Sequence, residues 1–298
     1  MIRHSWVIFL NAVLLTTESI AIEIMTTQLD LAPLVVASSS SLFAGSLLLL
    51  IATFKDRERT LSVFRLWKLL IPASVLVAGG LFAFIDSVSS VGASKVGLLA
   101  GPLEMVVIIF LAWAILREKL SAVQKIGVMI ALGGFFATIM SDISGATQEE
   151  PFRLGDAEAV ISAVMLGVGI VLVTRLTKAH SAVAVSGSLL LISGVILAAL
   201  LWASTTPDVT LSELSVLFLF SLLPLSVTLT YVAGLARVGA SLTSVISSFS
   251  ILLTPLFQLA LLGLNVQAIL PSNIPLALAG GGLGVLGIYL IHRNNRRH

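Results

Sequence analysis

Val91-Gly92-Ala93-Ser94 recurs as Val238-Gly239-Ala240-Ser241, 147 residues further along a chain of 298. Each copy sits between two long apolar runs, at the same place in its half. Four letters drawn from small and apolar residues carry little weight alone. The weight comes from the spacing, close to half the chain, and from the hydropathy around each copy, which also repeats. The chain therefore reads as one unit of five membrane helices used twice: an all-α polytopic membrane protein of ten transmembrane helices.

Composition agrees. The chain is 57% apolar and 11% charged, with a mean hydropathy of +1.09. A soluble domain carries roughly a quarter charged residues, and its core has no room for this much apolar surface. The formal net charge is only +2, so nucleic acid is not an expected partner. The absence of cysteine excludes disulfides, thiol nucleophiles and Cys-ligated metals. Arg3 precedes an apolar run, but Glu18 and Glu23 interrupt that run and no small-x-small cleavage site follows. The segment reads as a retained first helix rather than a cleaved leader.

A spanning helix needs about 20 mainly apolar residues. Spans are expected over 5–27, 33–54, 67–88, 94–116 and 120–140, then over 155–175, 181–203, 213–235, 241–263 and 274–292. Gly145 to Pro151 forms a polar break, which divides the chain into repeats at 1–145 and 152–298. With the N-terminus in the cytoplasm, 15 of the 17 basic residues fall on the inner side, and only Lys95 and Arg153 fall outside. The outer segments are acidic, with Asp30, Asp142, Glu149, Glu150, Asp156, Asp208 and Glu213. The positive-inside rule then places both termini in the cytoplasm. Five is an odd number, so the second unit enters the membrane upside down. The tetrapeptide at 91–94 faces out and that at 238–241 faces in, a plan recurrent among secondary transporters.

Further residues carry a resemblance. Val91–Ser94 is followed by Leu111-Ala112-Trp113, by Arg117-Glu118-Lys119-Leu120-Ser121, and by Gly127 and Gly133-Gly134. The second half holds Val238–Ser241, Pro255-Leu256-Phe257, Leu262-Gly263, Gly280 and Gly287. This pattern resembles the EamA-type repeat of the drug/metabolite transporter superfamily. The resemblance implies a transporter of amino acids, related metabolites or drug-like molecules, usually working as an exporter. Two departures stand out. Asn265 occupies the position opposite Glu118, and the first helix carries Glu18 and Glu23 where such repeats usually hold small, aromatic or apolar residues.

A carboxylate near the bilayer centre costs about 2.5–3.5 kcal/mol on insertion scales, so ionisable residues inside spans tend to face a cavity, a partner or a transported ion. The candidates are Glu18, Glu23, Asp86, Lys95 and Glu104, all in the first half. Glu18 and Glu104 lie near the middle of their spans and are expected to line a central cavity. Taking a carboxyl out of water favours its neutral form, which makes either a candidate proton carrier; if it keeps its charge, it attracts an ammonium group on the substrate. Glu23 is a third candidate for substrate or proton binding. Lys95 and Glu104 sit about 13.5 Å apart along one helix and on opposite sides of it, so they do not pair. Asp86 is expected to form a structural charge pair with Lys95, with Glu23 as the other partner within reach.

Neutral polar residues add less. Thr16, Thr17, Thr228, Thr230, Tyr231 and Gln258 suit hydrogen bonds either to a small polar solute or between helices. Pro102, two residues before Glu104, is expected to free carbonyls near that carboxylate. The glycines Gly127, Gly133-Gly134, Gly280 and Gly284 read as close packing within the bundle, with dimerisation as the second reading. Trp6, Trp67, Trp113 and Trp202 read as interfacial belt residues.

The expected function is therefore a secondary transporter of a small organic metabolite working by alternating access. Partners are that solute, the lipid bilayer and, if coupled, protons; no cofactor or metal is expected. An uncoupled facilitator or exchanger is the alternative. No P-loop is present for ATP, and neither HExxH nor GxSxG occurs. An intramembrane enzyme or a non-transporting receptor is thus a remote alternative.

Overall fold

A computed structural model describes residues 5–116, 121–143, 153–177, 180–204, 209–238 and 246–293. The Arg117–Leu120 turn, the Gly145–Pro151 break, Gly239–Ser241 of the second tetrapeptide and the chain ends before 5 and after 293 lie outside the described residues, as do the side chains of Trp113 and Arg237. Among the described residues there are helices and no strand. They are α1 (Ser5–Thr27), α2 (Pro33–Lys55), α3 (Arg57–Ser62), α4 (Trp67–Val91), α5 (Ala93–Leu116), α6 (Ala122–Ile143), α7 (Leu154–Thr177), α8 (Ala182–Ser204), α9 (Leu211–Val238), α10 (Ser250–Gly263) and α11 (Ile274–Arg293). Nine are long and apolar enough to cross a membrane, and the chain is a multi-pass membrane protein.

Local sequence sets where helices begin. Ser121 and Gln124 exchange side-chain and backbone bonds at the start of α6, and Thr210 and Glu213 do the same before α9. Both are capping boxes, satisfying amide groups that a helix start leaves orphaned. Asn273 caps α11 through its side-chain oxygen. Two elements differ from expectation. The segment expected as a plain connection at 55–66 contains the short α3, capped by Asp56, and a 3-10 turn over Val63–Leu66. Of the ninth span, expected over 241–263, residues 241–245 lie outside the described residues, Ile246 and Ser247 are helical, a turn follows at Ser248 and Phe249, and α10 covers Ser250–Gly263, 14 residues.

The two halves interlock. In order of position, the helices of the first half are α1, α2, α4, α5 and α6, and those of the second are α7 to α11. The most extensive pairings join α6 to α11, α2 to α8 and α4 to α7. Fifth packs on fifth and second on second. The third helix of the first half packs on the first of the second half; reciprocally, α1 packs on α9. Two further sets of cross-contacts are again reciprocal: α5 with α7 and α1 with α10, and α4 with α8 and α2 with α9. This exchange of partners is what a two-fold axis between the halves requires, and with five spans per half the axis lies in the membrane plane.

Small residues permit these approaches. A β-carbon on Gly127 would meet the Gly287 carbonyl at 2.8 Å, and one on Gly287 would meet the Ala131 nitrogen at 2.6 Å. The glycines of α6 and α11 thus serve the contact between these two helices inside one chain. Trp6, Trp67 and Trp202 lie near helix ends and are 63%, 56% and 75% exposed, as belt residues should be. The face of the bundle where Lys55, Lys68 and Lys125 lie is called the basic face below; Val91–Ser94 lies at the opposite face.

Candidate functional site

Between the halves lies a cavity of about 230 Å³. Its wall draws on α1, α2 and α4 and, at Glu104, on α5 from the first half; Leu166 of α7, Leu190 of α8, and Phe220 and Pro224 of α9 complete it. The lining is mainly apolar. Its polar groups are Glu18, Ser19, Ser40, Ser41 and Glu104. Glu18 sits past the middle of α1, and Glu104 sits halfway along α5. Among the described residues neither carboxyl has a hydrogen-bond or ion-pair partner. They are the ionisable groups of this wall.

Packing explains why Glu104 faces inward. The Pro102 ring lies 2.7 Å from where a β-carbon on Gly284 would sit, so this side of α5 is committed to α11. Glu104 is two residues on, about 200° around the helix. The carbonyl that loses its donor to Pro102 belongs to Leu98, four residues back, which also packs on α11 at Gly281. Gly167 of α7 packs directly behind Glu104, where a β-carbon would come within 3.3 Å of the Glu104 carbonyl oxygen.

Glu23 does not share this cavity wall. It is 2% exposed and accepts hydrogen bonds from the Ala93 amide at 2.6 Å, the Ile269 amide at 2.7 Å and the Gln258 side-chain amide at 2.6 Å. Gln258 in turn accepts from the Ser94 hydroxyl. One carboxyl thus ties α1 to the first turn of α5, to α10 and to the segment between α10 and α11.

Lys95 departs from expectation. Its expected partner was Asp86 or Glu23; its ion pair is with Asp156 of α7, at 2.6 and 2.8 Å from the two carboxylate oxygens. The side chains are 6% and 1% exposed. Asp156 also accepts from the Arg153 amide, so it both caps α7 and neutralises Lys95. Asp86 lies beside Glu158 of α7 instead. The physical reason is placement: α7 packs against both α4 and α5, bringing its first turns alongside residues far away in sequence.

The first tetrapeptide now has a structural content. Gly92 adopts φ 87°, a region open to glycine but strained for other residues, and a β-carbon there would meet the Ile269 β-carbon at 2.7 Å. Ala93 donates to Glu23, Ser94 donates to Gln258, and Lys95 follows with its pair to Asp156.

At the basic face a different cluster closes the bundle. Asn11, fully buried, donates to the Val227 carbonyl at 2.8 Å and the Thr230 hydroxyl at 2.9 Å, and accepts from the Ser247 hydroxyl at 2.7 Å. Sequence reading passed over Asn11. The signal was present, a lone amide inside the apolar run from Trp6 to Leu15.

No curated protein matches the chain. A solved crystal structure, described only as that of a protein, superposes with a TM-score of 0.63 at 18% identity, covering 94% of this chain and 96% of that one; at that identity the likeness speaks for the fold. The model of the EamA-like transporter family matches twice, over residues 4–140 and 153–293. With its paired halves and central cavity, the chain belongs to the EamA-like transporter family, membrane transporters of the drug/metabolite transporter superfamily.

Proposed function

We propose that this protein is a secondary transporter that exports a small organic solute by alternating access, with Glu18 and Glu104 as the groups that bind the solute and exchange protons. The observation that carries the reading is the placement of two unpartnered carboxyls on one otherwise apolar wall between the two halves. Such a wall suits a solute with an apolar body and one cationic group. An ionised carboxylate in a dry site is costly unless a cation or a proton compensates it, so solute and proton compete for the same groups. That competition drives exchange of one for the other. The distribution of Lys and Arg supports a cytoplasmic basic face, with both termini inside the plasma membrane.

The test is uptake and counterflow of labelled organic amines and amino acids by the purified protein in liposomes. Glu104→Gln and Glu18→Gln should each lower proton-driven transport at least about tenfold, the loss of one well-placed charge interaction. They should also flatten its dependence on pH. If both variants transport like the parent with the same pH profile, the carboxyls carry neither role. Transport that is saturable but indifferent to a pH gradient would indicate an uncoupled facilitator.

A further inference from the structure

We infer that the contacts around the first turn of α5 form the gate on the side opposite the basic face, with Glu23 and Asp156 as its two latches, and that this gate is the stronger of the two. The inference rests on the transport reading in one respect, that the bundle has a second arrangement.

The argument begins with what an opening at that face has to break. The α5 turn is held on one side by Glu23 and Gln258, which fasten it to α1, α10 and the strap at Ile269. On the other side Lys95 fastens it to the first turn of α7, and beside it the Ser87 hydroxyl donates to the Gly155 carbonyl at 2.7 Å, joining α4 to α7. Both latches involve ionised or ionisable groups that are almost fully buried, where bonds to charged groups are roughly twice as strong as neutral ones. Both sit above the cavity rather than on its wall. A solute cannot leave toward that face unless α5 parts from α1 and α10 or from α7.

The inverted repeat supplies the comparison. Carrying the tetrapeptide register across, Lys95 corresponds to Leu242 and Glu104 to Ile251. The helix that corresponds to α1 is α7, and between Ala159 and Val173 it holds no ionisable residue. Among the described residues, the contacts that close the basic face are those of Asn11 with Val227, Thr230 and Ser247, all neutral groups. Among these residues the two gates are related by symmetry in position and unrelated in chemistry. The cost of opening is unequal, and the bundle rests with the Glu23 side shut.

The chain has no cysteine, so one introduced at Leu81, on the cavity wall, reports access cleanly. Its labelling by a membrane-impermeant maleimide is measured from each face, in intact cells and in inverted vesicles. Glu23→Gln, which keeps the shape but turns donors toward donors, should raise labelling from the face opposite the basic one about tenfold or more, as a shift between two states requires. Asp156→Asn and Gln258→Ala should act in the same direction, the second more weakly. Asn11→Ala should raise labelling from the basic face alone. Should Glu23→Gln fail to fold, Asp156→Asn and Gln258→Ala carry the test. Unchanged labelling in the folded variants overturns the proposal, and so does a rise that is equal from both faces, which marks general loosening. Labelling needs no solute, so this result stands apart from whether the protein moves one.

Discussion

Glu18, Glu23 and Glu104 are chemically identical and differ in what surrounds them. Glu23 is satisfied by donors from three separate stretches of chain, whereas Glu18 and Glu104 face open cavity. Removing Glu23 strands the Ala93 and Ile269 amides, and each buried donor left without an acceptor costs about 1–3 kcal/mol. Glu23→Ala should therefore destabilise the protein by about 3 kcal/mol, read as a fall in unfolding temperature in detergent. Glu18→Gln strands nothing and should unfold like the parent. Gly92→Ala adds a strained backbone to a collision with Ile269 and should cost about 2 kcal/mol by the same measurement. Sequence marked these carboxyls as unusual because charge inside an apolar run is visible to any reader. It could not separate them. Whether a carboxyl meets donors or a cavity depends on segments more than 200 residues away, Gln258 and Ile269 for Glu23.

Among the elements, the long apolar helices were legible because a bilayer demands length and composition together. Nine described spans follow. The turn at Ser248 and Phe249 that precedes α10 was not legible, since hydropathy does not register a local break within an apolar run. The far end of α10 has a local cause: Asn265 takes φ 61°, and asparagine is one of the few residues apart from glycine that accept this turn at a helix end. That also accounts for an asparagine opposite Glu118 of the first repeat. The pair α6–α11 makes a further prediction. Gly134 faces the Gly284 nitrogen at 2.7 Å from where a β-carbon would sit, so Gly134→Leu must push the helices apart. A loss of about 2–3 kcal/mol in stability is expected from such overpacking. Crosslinking of cysteines placed across α6 and α11 within one chain should fall accordingly. A variant that crosslinks only between two chains would make this face an intermolecular contact instead.

For the whole molecule, the reciprocal pairing of helices means that neither half buries its inner face alone. Two fragments separated within 145–151 should reassemble when co-expressed and should be degraded when expressed singly, as judged by membrane levels and co-purification. Stable accumulation of either fragment by itself would contradict this. Duplication and inversion were readable from the tetrapeptide and the lysine and arginine count. The inequality of the two ends was readable only in part, because Asp156 and Asn11 gain meaning once their neighbours are known. The Glu23 cluster has a consequence for biogenesis. During synthesis Glu23 enters the bilayer with the first helix, and its donors Gln258 and Ile269 follow more than 200 residues later. A buried carboxyl without its partners is poorly tolerated in lipid. The first helix therefore settles into its final place only when the second half arrives to satisfy it.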